Sequence, residues 1–211
     1  MTCVAPPPTA LWASLPDHPL ARKRLLVVDD HPAVRAGLRG LLADEADFEV
    51  VADVATAEDA VEIAKCEPID VAVVDYQLGG RNGLWLSRKL KRLPDPPAVL
   101  IYSAYTDGIL AAAAVVAQAD SIVNKGHVGS DLCYEVRRAA AGQRHLPTLP
   151  PRLAESLRRR LDNDEQAIFG MLLAGMEPAE IAATLGLSPA AMESQLCELL
   201  RRLEGLPAAP R

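Results

Sequence analysis

The chain has 211 residues, half of them hydrophobic and 24% charged, with 28 acids against 22 Lys and Arg for a formal net charge of −6. This is the balance of a globular protein long enough for one large domain or two smaller ones, and the acidic total does not point to nucleic acid directly. Cys3, Cys66, Cys133 and Cys197 lie far apart with no C-x-x-C pair, which argues against a zinc or disulfide framework and for thiols in a reducing compartment.

Residues 1–22 contain "APPP" and "LPDHPL", a composition that buries little surface and predicts a disordered tail. They lack the basic start and clean apolar stretch of a signal peptide. A regular alternation then begins. "RLLVV" reads as a buried strand, and "PAVRAGLRGLLADE" as a helix with Pro32 in its first turn. "FEVVADV" is a second strand, and "TAEDAVEIAKCE" a helix with Thr56 as N-cap. "IDVAVVD" precedes the helix "NGLWLSRKLKRL", which "PDPP" stops. "AVLIYSA" precedes "TDGILAAAAVVAQA", and "DSIVNKG" precedes "GSDLCYEVRRAAAG". The apolar run "ILAAAAVVAQA" is too short to span a bilayer, so a cytoplasmic protein is expected.

Five strand–helix units in succession predict an α/β domain over residues 23–142, a five-stranded, doubly wound parallel sheet with helices on both faces. Residues 143–160 read as a Pro-containing linker with a short basic helix over Pro151–Leu161. Residues 161–211 read as a small all-α domain of three helices, the first two ending at Gly175 and Gly186. The third starts with Ser188 as N-cap and Pro189 in the first turn, and the short "GL" connection before it fits a helix-turn-helix.

In a doubly wound sheet, ligands bind beyond the carboxyl ends of the strands. Asp29 and Asp30 end the first strand, Asp75 the third, Ser103 the fourth and Lys125 the fifth. Strand order 2-1-3-4-5 would bring these ends side by side. Clustered carboxylates resist full ionisation without a cation, and oxygen ligands suit Mg²⁺. Lys125 supplies a point charge for a phosphoryl group, Ser103 a hydroxyl for one of its oxygens, and one carboxylate a nucleophile toward phosphorus. A single Asp at a strand end is ordinarily a helix cap, and a single Lys ordinarily points to solvent. The coincidence of all these residues at the appropriate strand ends argues otherwise.

On these residues the segment resembles the receiver domain of two-component response regulators: "LLVVDDHPAVRAGLRGLL" is similar to its opening strand and helix, and "VAVVDYQLGGRNGL" to its phosphoacceptor segment. The resemblance implies Asp75 as phosphoacceptor and Mg²⁺ held by Asp30, Asp75, the backbone carbonyl of Gln77 and, through water, Asp29. It implies Ser103 and Lys125 as switch hydroxyl and phosphate-binding lysine. Where the family often carries Tyr or Phe on the fifth strand, this chain has Ile122; Tyr102 and Tyr105 lie nearby.

A receiver, a linker and a helical domain together resemble the NarL/LuxR group, with "AEIAATLGLS" the most specific piece of the C-terminal part. The resemblance implies a sensor histidine kinase as phosphodonor, DNA as target and a homodimer on activation. Candidate DNA contacts are Ser188, Ala191, Glu193, Ser194, Gln195, Arg201 and Arg202. The charge census opposes this reading. From Leu161 onward eight acids face three arginines, no lysine follows Lys125, and Glu193 would repel phosphate. Arg158, Arg159 and Arg160 form a basic cluster that either reaches the DNA backbone or is simply a solvated helix surface. Leu196, Leu199, Leu200 and Leu203 form either a dimer face or the core of the small domain.

Three functions therefore stand side by side. The chain is a phosphorylation-controlled DNA-binding transcription regulator, or a response regulator whose helical domain serves dimerisation or protein binding. The third is a phosphatase-type enzyme. Small size and the lack of a second catalytic group oppose it, leaving at most slow self-phosphorylation from small donors and self-dephosphorylation.

Overall fold

The protein is described by a computed structural model over residues 22–126 and 129–205, so the expected tail at 1–22 lies, except for Arg22, outside the described residues. Five strand–helix units follow in order. They are β1 (Lys23–Val28), α1 (Pro32–Ala43), β2 (Phe48–Val54), α2 (Ala57–Cys66), β3 (Val71–Asp75), α3 (Gly83–Leu90), β4 (Ala98–Ser103), α4 (Gly108–Val116), β5 (Ser121–Asn124) and α5 (Gly129–Ala140). The helical segment contains α6 (Pro151–Arg158), α7 (Asn163–Leu173), α8 (Pro178–Leu185) and α9 (Pro189–Glu204). The basic helix expected over Pro151–Leu161 is thus shorter by three residues, its end unwinding into a turn.

All strand pairs are parallel, in the order β2-β1-β3-β4-β5. β1 and β3 are flanked by strands on both sides, and every residue of β3 is buried, which is why "VAVVD" shows no alternation. Alternate residues still serve opposite faces. Leu25, Val27, Val71 and Val73 pack with α1 and α5, and Leu26, Val28, Ala72 and Val74 with α2, α3 and α4.

Local signals set the helix starts. Thr56, Asn82, Asp107 and Ser188 each accept a hydrogen bond from the backbone amide three residues on. Asp162 and Glu165 form a capping box at α7. Gly186 ends α8 in the left-handed region at φ 66°, a turn that a side chain would strain.

α4 differs from its neighbours. Leu110 to Ala114 and Val116 are all buried, so the helix has no solvent face. A helix apolar all round must be covered all round: one side of α4 lies on the sheet, and α7 and α9 cover the other. One hydrophobic core therefore runs from Val74 and Ile101 through α4 into Phe169, Leu196, Leu199 and Leu203.

The stretch read as linker also makes contacts. His145 bridges Ser121 in parallel along the open edge of β5, and its amide donates to the Asp120 carbonyl at 2.6 Å. Its Nδ1 lies 3.0 Å from Glu135 Oε1 on α5. Further on, Leu153 of α6 lies where a Cβ at Gly108, the first residue of α4, would fall, 2.2 Å from its Cδ2. Among the described residues no helix is long and apolar enough to cross a membrane.

Candidate functional site

Four of the five strands deliver polar side chains to one edge of the sheet. Asp29 and Asp30 follow β1 directly, Asp75 ends β3, Ser103 ends β4 and Lys125 follows β5. Parallel register holds the ends level: Asp75 pairs with Tyr102, Ser103 with Asn124, and the Lys125 amide donates to the Ser103 carbonyl at 2.8 Å.

Lys125 Nζ lies 2.8 Å from Asp29 Oδ2 and 2.8 Å from Asp75 Oδ2. Asp29 is fully buried; its Oδ1 accepts from the His31 amide and its carbonyl from Arg35 Nη1. Asp75 is buried too, and its Oδ1 accepts from the Gln77 amide at 3.2 Å. Burial pushes the Asp75 carboxyl above the ordinary carboxylate range, and Lys125 opposes the shift. Burial also works against the Lys125 charge, but hydrogen bonds to Asp29 and Asp75 outweigh it and the net shift is upward. Ser103 is buried, with Oγ accepting from the Tyr105 amide at 3.1 Å.

Asp29, Asp30, His31 and Asp75 each bring one ligand atom to within 4.8 Å of all the others. Asp30 Oδ1 is buried without a well-aligned donor, although His31 Nδ1 stands 2.6 Å away. Three carboxylates around one ammonium leave net negative charge, and a donor set of mainly hard oxygens with one unsatisfied atom fits a divalent cation. Sequence reasoning did not single out His31 or Arg35. "DDHPAVR" contains both, but a helix-start histidine and an α1 arginine are ordinary until their partners are seen.

Residues 25–137 match the response regulator receiver domain family. The chain belongs to the response regulators. It is similar to the transcriptional regulatory protein UhpA of Salmonella typhimurium, 30% identical over 178 residues that cover 84% of this chain and 89% of that one. It is also similar to the DNA-binding transcriptional activator DevR/DosR of Mycobacterium tuberculosis, 29% identical over 85% of this chain and 88% of the relative. Among solved structures, a LuxR-family two-component response regulator from Aurantimonas superimposes with a TM-score of 0.58 at 28% identity, covering 64% of this chain and 98% of that one.

In this response regulator α9, which carries the candidate DNA contacts, lies along α4. Glu193 accepts from Arg88 Nη2 on α3, and its other oxygen lies 3.7 Å from Arg92 Nη1. The Arg88 side chain is 5% exposed; its Nη1 donates to Gln118, and its Nε is buried without a partner. Gln118 in turn donates to Glu177 at 3.2 Å, and Arg144 reaches the same carboxylate at 2.7 Å. At the far end of α9, Asn82 donates to Glu204 at 2.6 Å.

Most of the remaining α9 candidates have local partners. Ser188 caps the helix, Ser194 Oγ donates to the Ala190 carbonyl, and Arg201 pairs with Glu198. Arg202 Nε lies 2.9 Å from the buried Glu165 of α7. Gln195 is half-buried and Ala191 likewise. Leu196, Leu199, Leu200 and Leu203 are all buried, so the dimer-face alternative is not how they are used in this arrangement.

Proposed function

We propose that this response regulator accepts a phosphoryl group on Asp75 from a sensor histidine kinase and uses it to control a DNA-binding, transcription-regulating helical domain. The observation that carries the reading is the paired reach of Lys125 Nζ, 2.8 Å to both Asp29 and Asp75, in a pocket of carboxylates at the strand ends. The chain's likeness, over 84% and 85% of its length, to UhpA and DevR/DosR, two regulators named for transcription, supports the second half.

In the transfer, Asp75 Oδ attacks phosphorus while the bond from phosphorus to the donor's histidine nitrogen breaks, giving an acyl phosphate on Asp75. Asp30, Asp75, the Gln77 carbonyl and, through water, Asp29 would hold Mg²⁺. When bound, the ion supplies neutralising charge to the phosphoryl oxygens. Lys125 leaves its bond with the Asp75 carboxylate for a phosphoryl oxygen. Ser103 turns its hydroxyl toward another, releasing the Tyr105 amide and pulling the loop before α4.

With Ile122 in the usual aromatic place, that loop has another route outward. It leads to Gly108, against which Leu153 of α6 packs. Movement there shifts α6 and loosens α9 from α4 and Arg88, which frees α9 for a DNA groove and the protein for dimerisation. Catalysis on outside substrates is not part of this reading, beyond slow self-phosphorylation and self-dephosphorylation.

A second reading has support of its own. Glu193 is held by Arg88 of α3, which favours a helical domain that stays docked, and Arg201 and Arg202 are already occupied by acids of their own segment, which favours one that binds a protein. The first test is labelling with radioactive acetyl phosphate and Mg²⁺. Wild type takes up label and Asp75→Asn does not; label retained by Asp75→Asn would sink the assignment. Selection from random duplex DNA with and without a beryllofluoride mimic then separates the two readings.

A further inference from the structure

Among the described residues, nearly every Lys and Arg faces a carboxylate or an aromatic ring. The exceptions are Arg22, Arg152, Arg158 and Arg160. Three of these four belong to α6 and the turn that ends it. Residues 152–160 hold four arginines and one acid, Glu155, whereas residues 161–205 hold eight acids and two arginines.

The placement follows from helix periodicity. Leu153, Leu157 and Leu161 recur every four residues and turn inward: Leu157 and Leu161 are buried and Leu153 seats against Gly108. The opposite face is left to Arg152, Ser156, Arg159 and Arg160, all exposed, with Arg159 held at 3.1 Å by Glu155. A shallow depression of about 370 Å³ is lined by these four and Glu155. Arg158 lies to the side, over Gly170 of α7.

We infer that the outer face of α6 is a binding surface for the phosphate backbone of duplex DNA, and that it works before α9 is released. This rests on the DNA-binding reading above and adds where and when the backbone is first held. Arg152 and Arg160, unpaired on an otherwise acidic protein, keep their full attraction for an anion, and the exposed Arg159–Glu155 pair is weak enough to exchange for a phosphate. Arg152 to Arg159 spans about 10 Å along the helix, which matches about three phosphate steps of one strand along the duplex axis. In the arrangement described, α9 lies against α4 and offers no unpaired cation, while α6 is open. Unphosphorylated protein therefore sits on DNA weakly and without regard to sequence, and phosphorylation adds sequence reading by α9.

The test is anisotropy of a labelled random-sequence duplex with the full-length chain, without phosphodonor, over a potassium chloride series. Neutralising Arg152→Gln, Arg159→Gln and Arg160→Gln together should flatten the log–log salt slope by about three. Equivalently, wild type should lose about 40-fold more affinity than the triple variant over a fourfold rise in salt. The triple lysine variant should keep the wild-type slope, and Lys65→Gln on α2, a surface cation paired only with Glu62, should leave it unchanged. Acetyl phosphate labelling of Asp75 reports that each variant is folded. Wild-type binding with the same slope in the triple glutamine variant overturns the α6 assignment alone. Absence of duplex binding by wild type, with and without beryllofluoride, overturns the DNA-binding reading and the assignment with it. Tighter α6-dependent binding to anionic phospholipid vesicles than to duplex overturns the choice of partner.

Discussion

Arg88 on α3 and Glu193 on α9, 105 positions apart, form an ion pair that is nearly withdrawn from water, the two side chains 5% and 18% exposed. Removing one member of such a pair leaves a buried charge without its counterion, which costs about 3–5 kcal/mol. The chain can avoid that cost by letting the helical segment swing away. Glu193→Ala should therefore increase the radius of gyration in small-angle scattering and speed cleavage of residues 143–150 by protease. Replacing both residues, Arg88→Met with Glu193→Leu, should restore much of the compactness, because the apolar contact of α9 with α4 remains. A Glu193→Ala protein with the wild-type radius and cleavage rate would mean the pair is not what holds the two parts together.

Gly83 opens α3 directly behind the phosphoacceptor candidate. A Cβ there would lie 2.4 Å from the Asp75 carbonyl oxygen and 3.0 Å from Val74 Cγ1. The first contact is with backbone and has no side-chain freedom to absorb it. Gly83→Ala should destabilise by about 1–3 kcal/mol, read by urea unfolding, and should slow Asp75 labelling by moving the end of β3. Unchanged stability and labelling would show that α3 shifts freely against β3.

Gln118, after α4, has φ 59°, the left-handed region that costs a residue with a side chain about 1–2 kcal/mol. Its side chain joins Arg88 to Glu177. Gln118→Gly removes the backbone cost and the bridge together, so its net effect should be small. Gln118→Val keeps none of the bridge and suits the conformation least, so it should be less stable than the glycine variant by more than about 1 kcal/mol. Equal unfolding midpoints for the two variants would contradict this.

The acidic cluster was legible because parallel strands send consecutive carboxyl ends to one edge, so Asp29, Asp75, Ser103 and Lys125 could be assembled from strand order alone. The docking of the helical segment was half legible. "ILAAAAVV" has no polar stripe, and such a helix must be covered on its outer side as well. The sequence offered that signal, but not which helix supplies the cover. Glu193 was opaque. In a helix aligned with DNA readers its charge reads as a repulsion from phosphate, and its actual partner is an arginine on another fold unit that no local spacing announces. Arg202 was opaque for a lesser reason: its partner Glu165 lies in the same helical segment, but buried on α7 and beyond any local spacing.

Arg137 of α5 gives a pH-dependent prediction. Its guanidinium reaches Asp47 and Glu45, in the loop between α1 and β2, at 2.8 and 2.5 Å. It also lies 4.8 Å from the centre of the Phe48 ring. The hydrogen bond from Arg137 holds the Asp47 carboxyl below the ordinary carboxylate range. An acid with a lowered folded-state pKa stabilises the fold above its unfolded value, near 3.9, and the contribution is lost as pH falls through the folded value. Both partners are partly exposed, so solvent screening keeps the ionic part of an Arg137→Ala effect under about 1 kcal/mol at neutral pH. The ring contact does not titrate and should add roughly 0.5–1 kcal/mol at any pH. Urea unfolding of wild type and Arg137→Ala at pH 7 and near pH 3 should therefore show the difference between them shrinking in acid without vanishing. A difference of the same size at both pH values would mean that the ring contact carries all of it and that the two carboxylates contribute nothing.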